Sequence, residues 1–123
     1  MLRLISEEEV AAFTEAGGNP FSSRGRYFGI EDAAFARLIK RGWVISEIRD
    51  FFVLPEKRRQ GNGRRLLQLL LQKVQTPVAF LTAHVDNAPM RRIVEGEGFR
   101  NIETIVSPLG NEVMLYMYHK RGY

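Results

Sequence analysis

A strand, a glycine-bearing loop and a helix follow one another between positions 45 and 74, and this succession constrains the fold most. The apolar run 45–54 predicts a strand, and leucines at 66, 67, 70 and 71 predict a helix. Gly61 and Gly63 lie between them, within the basic run 58–65. Glycine lets the backbone turn tightly and approach a ligand closely. Because free N–H groups at a helix N-terminus and nearby arginines bind anions, the loop predicts a phosphate site.

The length and composition predict a single domain and exclude several kinds of site. A chain of 123 residues that is 45% hydrophobic predicts one compact domain, residues 1–123. Without cysteine there is no disulfide, thiolate metal ligand or thiol nucleophile, and two histidines are too few to indicate a metal cluster. We therefore expect no metal. The N-terminus does not resemble a signal peptide, and no apolar run is long enough to span a bilayer. These features predict a cytoplasmic protein that does not associate with a membrane.

The net charge of +4 is unevenly distributed. Basic residues cluster at 57–65, 91–92 and 120–121, which indicates either a solvated basic face or an anion site. We favour the anion site because the largest cluster coincides with the glycine loop. A nucleic-acid-binding surface would need a longer basic stripe interleaved with aromatic residues, so this partner is unlikely from the pattern.

The remaining patterns predict an α/β (α+β) fold in the order β-α-β-β-β-α-β-α-β-β. Ser6 and Glu9 form a capping box before a helix at 7–16, and Asn87 is a good N-cap for a helix that ends at Gly98. Residues 33–39 fit a strand, although their propensity also allows a helix. A helix between two strands requires a crossover, whereas short turns give antiparallel hairpins. The predicted strands are 2–5, 26–30, 33–39, 43–54, 78–85, 102–106 and 112–119.

Two common phosphate-binding motifs do not fit the loop. A Walker A loop needs a longer glycine spacing followed by Lys-Ser/Thr, which is absent here. A dinucleotide fingerprint needs a third glycine, but Leu66 occupies that position and no acidic residue follows at the required distance.

Two segments, the first of which contains the glycine loop, carry a family resemblance. Positions 53–67 read Val-x-Pro-Glu-x-Arg-x-x-Gly-x-Gly-x-x-Leu-Leu, and positions 87–99 read Asn, then Ile-Val-Glu-x-x-Gly-Phe at the end. The first closely resembles the acetyl-CoA signature of the GNAT N-acetyltransferase superfamily, and the second resembles a helix of the same family. The resemblance implies a GNAT-type mixed, mostly antiparallel sheet of six to seven strands with helices on both faces.

The resemblance also implies a binding mode for acetyl-CoA. In the family, the glycine loop holds the pyrophosphate, and the pantetheine arm lies along the preceding strand, in a gap where two strands splay apart. Asn87 matches a position that contacts pantetheine, although its residue type is equally expected of a plain N-cap. The implied coenzyme-binding residues are Phe51, Phe52, Val53, Arg58, Arg59, Gln60, Gly61, Asn62, Gly63, Arg64 and Asn87, and Arg65 is a further phosphate candidate.

Attack of an amine on a thioester needs a base, an oxyanion donor and an acid. Glu47 matches the general-base position of some family members, and Asp50 is a second candidate, one pleat face away on the same strand. Each is also explained as a strand charge paired with Arg49 or Lys40. The oxyanion donor would be a backbone N–H near Val53.

The family's acid tyrosine is replaced by Val94. Tyr116, Tyr118 or water would then protonate the leaving thiolate, unless no acid is used. His84 could act as a base near neutral pH, although a strand histidine more often has a structural role.

The resulting functional prediction is an N-acetyltransferase acting on a primary amine of an unidentified small molecule or protein, with a homodimer as a possible assembly. A non-catalytic acetyl-CoA-binding protein is the alternative, because Val94 replaces the tyrosine and the segment 19–25 is short. Whether Phe21, Tyr27, Phe28 and Trp43 line the acceptor pocket or belong to the core stays open.

Overall fold

A computed structural model describes residues 1–120 and confirms the predicted element order. Of the predicted piece 33–39, residues 34–39 belong to a strand rather than a helix and pair with strands on both sides, whereas Ala33 lies in the preceding turn. Arg121, predicted within a basic cluster, lies outside the described residues. The elements are β1 (Leu2–Leu4), α1 (Glu7–Glu15), β2 (Arg26–Ile30), β3 (Ala34–Lys40), β4 (Ile45–Val53), α2 (Asn62–Lys73), β5 (Val78–His84), α3 (Ala88–Gly96), β6 (Arg100–Val106) and β7 (Glu112–His119), with a 3₁₀ turn at Pro55–Lys57.

The seven strands form one sheet in the order β1-β2-β3-β4-β5-β7-β6. All neighbouring strands are antiparallel except β4 and β5, which are parallel. Helix α2 makes the crossover between these two strands, as parallel pairing requires. The sheet is therefore mixed and mostly antiparallel, as predicted.

Helices cover both faces of the sheet. Helix α1 buries Val10 and Phe13 against Tyr27 and Phe35 on one face. Helices α2 and α3 bury the larger core on the other face, where Leu66, Leu67 and Leu70 are fully buried. Burying one such side chain stabilises the fold by about 1.5–3 kcal/mol relative to leaving it exposed. This core fixes the start of α2, and hence the glycine loop, above the end of β4.

The predicted helix boundaries depend on local hydrogen bonds that the structure contains. Ser6 and Glu9 form the reciprocal capping box at the start of α1. Asn87 accepts from Met90 N at 3.2 Å and so caps α3. Gly98 has φ of 96°, and Phe99 N donates to Val94 O, which ends α3 as the sequence indicates.

Strand β4 is shorter than the predicted range 43–54. The hairpin with β3 already closes where Arg41 N donates to Ile45 O, so Trp43 and Val44 lie in the turn. Trp43 is 90% exposed with Lys40 Nζ over its ring, whereas Tyr27 and Phe28 are core residues. Phe21 is partly exposed and stacks on Tyr27.

A bulge interrupts β4 and places Asp50 on a different face of the sheet from the one that the sequence predicts. The register shifts between Phe35 and Arg37, so Asp50 and Phe51 together oppose Ala36. Asp50 has φ of +56°, and its Oδ2 lies 2.9 Å from Arg37 Nε. The predicted position, on the opposite pleat face from Glu47, is therefore wrong, because the extra residue returns Asp50 to the face that α1 covers.

Both partners of this ion pair are almost completely buried, with 8% of the Arg37 and 6% of the Asp50 side chain exposed. Asp50 Oδ1 also accepts from Asn19 Nδ2 at 2.9 Å, which ties the loop after α1 to the bulge. The Arg37 Nε–H is not well aligned for a hydrogen bond, so attraction between the charges holds the pair.

Asp50→Ala should lower the free energy of unfolding by about 3–5 kcal/mol, because it leaves a buried guanidinium without its counter-charge. Urea denaturation measures the loss. Asp86→Ala, which removes an exposed carboxylate, is the control and should change stability by about 0.5 kcal/mol or less. Equal losses in the two variants would contradict a structural role for the ion pair.

Candidate functional site

A gap opens between β4 and β5 on the side of the sheet where β4 ends. The two strands pair only at Ile45–Val78, Ser46–Ala79 and Glu47–Phe80, although both continue well beyond these pairs. The bulge at Asp50 accompanies this separation, since bulges bend the strand that contains them. Among residues 1–120, the edge of β4 that faces β5 therefore has no strand partner from residue 48 onward, and an extended ligand can pair with it.

The glycine loop presents a row of free backbone donors at the end of this gap. Within the described part of the chain, none of the amide N–H groups of residues 59–64 donates a well-formed hydrogen bond. Gly61, the N-cap of α2, has φ of +83°, and no side chain caps the helix. Arg59 also has a positive φ, of 63°. Consecutive free N–H groups in such a turn, at a helix N-terminus, form an anion-binding concavity.

Gly63 allows the loop and its surroundings to assemble closely. A Cβ at this position would lie 2.9 Å from Ile93 Cδ1, and within 4 Å of Val53 and Phe51 side-chain atoms. Glycine thus permits the first turn of α2 to approach both α3 and the end of β4.

Three of the predicted coenzyme-binding side chains hold the loop itself. Arg58 Nε donates to Val53 O at 3.0 Å, and its guanidinium lies over the Phe52 ring. Gln60 Nε2 donates to Glu56 O, and Asn62 Nδ2 donates to Lys57 O. These residues fix the loop conformation, so their backbone N–H groups, rather than their side chains, are positioned for a ligand.

Arg59 and Arg64 remain as cations beside the row of amides. The Arg59 side chain is exposed and makes no polar contact with the described residues. Arg64 Nε lies 3.4 Å from Glu97 Oε2, with 56% of its side chain exposed. Since that contact is long and solvated, Arg64 can also turn toward an anion at the helix N-terminus.

Helix α3 lies on the other side of the gap. The side-chain oxygen of Asn87 caps the helix, but its Nδ2 makes no hydrogen bond to the described residues, so capping and ligand contact are compatible. Val94, at the position of the family's tyrosine, is fully buried in the core. No hydroxyl of α3 therefore reaches the gap from this position.

Glu47 stands at the closed end of the gap, as the last β4 residue that pairs with β5. Its Oε1 accepts from Arg41 Nε at 2.9 Å and from Arg41 Nη2 at 2.7 Å. Arg49 Nε lies 3.6 Å from Oε2, and only 14% of the Glu47 side chain is exposed. Oε2 thus accepts no hydrogen bond from the described residues.

The other predicted catalytic groups differ in accessibility. Both oxygens of Asp50 are engaged, by Asn19 and Arg37. Tyr116 is fully buried, and its hydroxyl donates to Glu95 Oε2 at 2.5 Å. His84 is exposed near the open end of the gap, without a side-chain hydrogen bond to the described residues. Tyr118 packs against Phe99 with ring centroids 5.2 Å apart.

Burial and the Glu95 carboxylate both raise the pKa of Tyr116, since each disfavours the phenolate. Tyr116 therefore keeps its proton at neutral pH and joins β7 to α3 through that proton.

Sequence reasoning missed the partners that organise this site. Arg37, Arg41 and Glu95 are ordinary charged residues in the sequence, and their partners lie on other strands or helices. The one available signal was alternation along β3, which places Arg37 among residues of a buried face.

Comparison with known proteins identifies the class. Residues 5–99 match the sequence profile of the acetyltransferase (GNAT) family. The chain belongs to this family. No curated protein gives a significant match.

Solved structures share the fold at low sequence identity. The ribosomal-protein-S18-alanine N-acetyltransferase from Escherichia coli superposes with a TM-score of 0.75 at 18% identity, over 100% of this chain and 97% of the other. The spermidine N-acetyltransferase from Vibrio cholerae, in complex with CoA and spermine, gives 0.80 at 16% identity, over 97% and 94%. The IAA acetyltransferase from Bacillus cereus gives 0.79 at 13% identity, over 98% and 99%.

Within residues 1–120, no helix is long and apolar enough to cross a membrane. No group of three or more histidine or carboxylate side chains in the same range could hold a metal ion.

Because the pKa of Tyr116 is raised, the free energy of unfolding should fall with rising pH in the alkaline range. Because the folded pKa exceeds the ordinary value of 10.0, the contribution of Tyr116 is complete below that pH and is lost as the pH rises through the folded pKa. Urea denaturation at pH values from about 9 upward should show, above about pH 10, a steeper loss of stability for the wild type than for Tyr116→Phe. Tyr118→Phe is the control and should retain the loss; identical profiles for the wild type and Tyr116→Phe would contradict this assignment.

Proposed function

We propose that this protein is an N-acetyltransferase that transfers the acetyl group of acetyl-CoA to a primary amine of a small molecule or protein. The free amides of residues 59–64 at the start of α2, at the end of the β4–β5 gap, are the observation that carries the proposal. Membership of the acetyltransferase family supports the reaction class.

The residues present fit acetyl-CoA on structural grounds. The row of amides, with Arg59 and Arg64 beside it, matches a pyrophosphate in charge and donor geometry. The unpaired edge of β4 from 48 to 53 can bind a pantetheine arm as an additional strand would bind, and Asn87 Nδ2 faces no competing acceptor among the described residues. A spermidine N-acetyltransferase of the same fold is known in complex with CoA.

When bound, acetyl-CoA supplies a thioester carbonyl carbon for direct attack by the amine in a ternary complex. The C–N bond forms, the C–S bond breaks, the amine loses a proton to a base, and the thiolate leaves with or without protonation. The chain must therefore hold both reactants, accept a proton and donate hydrogen bonds to the developing oxyanion. In this proposal a backbone N–H of β4 near Val53 is the oxyanion donor.

Glu47 is our candidate base, acting through Oε2. Arg41 fixes the carboxylate by two hydrogen bonds to Oε1, which leaves Oε2 without a hydrogen bond from the described residues. We assign Asp50 to holding the bulge, since both its oxygens are engaged. Tyr116 was predicted as an acid; because its proton is already donated to Glu95, water is the better candidate for protonating the thiolate.

A non-catalytic acetyl-CoA-binding protein is the second candidate. It is favoured by the buried Val94 in place of tyrosine and by the ion pairs that engage Glu47 and Asp50. Both candidates require coenzyme binding, but only the first requires thiol release in the presence of an amine. The homodimer and the cytoplasmic location stay predictions.

Acetyl-CoA at 100 times its Kd should raise the free energy of unfolding by about 2.7 kcal/mol, measured from thermal melts. Arg59→Gln should weaken binding about tenfold, because it removes a charged donor to phosphate. Lys73→Gln makes the same charge change at the opposite end of α2 and should leave the affinity unchanged. Absence of stabilisation by both acetyl-CoA and CoA would overturn both candidate functions.

Glu47→Gln should lower kcat about a hundredfold or more while leaving the acetyl-CoA affinity unchanged, because it removes the proton acceptor and keeps the side-chain shape. Glu103→Gln, on the exposed edge strand, is the control for the loss of one carboxylate. Unchanged turnover in Glu47→Gln would show that another group, such as His84, is the base.

A further inference from the structure

Two arginines lie side by side on the neighbouring strands β3 and β4, next to the gap. Arg37 on β3 and Arg49 on β4 are direct cross-strand partners. Like charges in this position destabilise a sheet. Asp50 neutralises Arg37 at 2.9 Å, but no comparable partner neutralises Arg49 within residues 1–120. The fold therefore gains nothing evident from Arg49, and such local conflicts tend to occur at functional positions.

The contacts of Arg49 leave most of its guanidinium available. Its nearest carboxylate oxygen, Glu47 Oε2, is 3.6 Å from Nε, beyond good hydrogen-bond distance. Glu47 is already bound more closely by Arg41, at 2.7 and 2.9 Å. Half of the Arg49 side chain is exposed, so its planar set of donors can receive a ligand.

Arg49 also lies beside the gap, on the same face of the sheet as Glu47. Ile48 points into the core beneath α2, so the alternation along β4 places Arg49 on the opposite face, together with Glu47. It is the first side chain on that face beyond the last β4–β5 pair, Glu47–Phe80. The closed end of the gap is thus bordered by a guanidinium.

The ion-paired residues around Arg49 also carry a net positive charge. The ion pairs on this side of β3 and β4 involve three cations (Arg37, Arg41 and Arg49) and two carboxylates (Glu47 and Asp50), which leaves one positive charge. An acceptor with several ammonium groups would be repelled here, whereas an acceptor with a carboxylate would be attracted.

We infer that Arg49 binds a carboxylate of the acceptor, so that the substrate is an amine that also carries a carboxylate. A guanidinium offers two parallel N–H groups that match the two oxygens of a carboxylate, which fixes orientation as well as charge. This inference rests on the proposed acetyltransferase function and specifies its acceptor.

The test compares amines of equal length that differ only in the distal group. Thiol release from acetyl-CoA is measured with γ-aminobutyrate, butylamine and putrescine, and with the corresponding three-carbon set. The wild type should show kcat/KM about tenfold or more higher for the amino acid than for the alkylamine, the ratio expected from one charge-assisted contact. Putrescine should be the poorest of the three.

Arg49→Gln should abolish the preference for the amino acid and leave acetyl-CoA binding unchanged. Arg49→Lys, which keeps the charge but loses the paired donors, should keep part of it. Arg100→Gln removes a cation from edge strand β6, three strands from β4, and should retain the full preference. The wild-type comparison tests the preference for a carboxylate even if an Arg49 variant fails to fold.

The outcomes separate the two levels of the proposal. Wild-type turnover that favours putrescine, or that does not discriminate among the amines, would overturn the carboxylate inference and leave the acetyltransferase function intact. An unchanged preference in Arg49→Gln would overturn the assignment to Arg49. Absence of turnover with all six amines would overturn this inference, because each set includes an amino acid that should be acetylated, whereas absence of acetyl-CoA binding would overturn the acetyltransferase function itself.

Discussion

The buried ion pair between Arg37 and Asp50 is the interaction on which the candidate site depends. It stabilises a bulge at the point where β4 separates from β5, and through Asn19 it joins the loop after α1 to the same point. The unpaired edge of β4 follows directly from this separation. Since an uncompensated charge in this position would be costly, the two residues act as one structural unit.

The site combines a rigid part with an adaptable part. The fully buried leucines of α2 and the hydrogen bonds of Arg58, Gln60 and Asn62 fix the glycine loop, so its free amides are positioned before a ligand arrives. Such preorganisation reduces the entropy lost on binding. In the proposed function, the acceptor side lies along the exposed or ion-paired charged side chains of β4.

The sequence predicted those parts of the fold that depend on local patterns. Capping residues, the glycine loop, the leucine periodicity and the element order all hold in the structure because each is encoded within a few neighbouring residues. The Arg37–Asp50 ion pair at the bulge and the Tyr116–Glu95 hydrogen bond join positions that are far apart in the sequence, so no local pattern reports them. For the same reason the glycine loop was predictable, whereas the environment of each catalytic candidate was not.

Hydrogen–deuterium exchange with and without acetyl-CoA reports directly on the backbone amides that we assign to the ligand. We expect slower exchange at residues 59–64 and along β4 from 48 to 53, with little change on β6, which lies three strands from β4. Exchange that is unchanged in both segments, or protection confined to another part of the chain, would contradict this assignment.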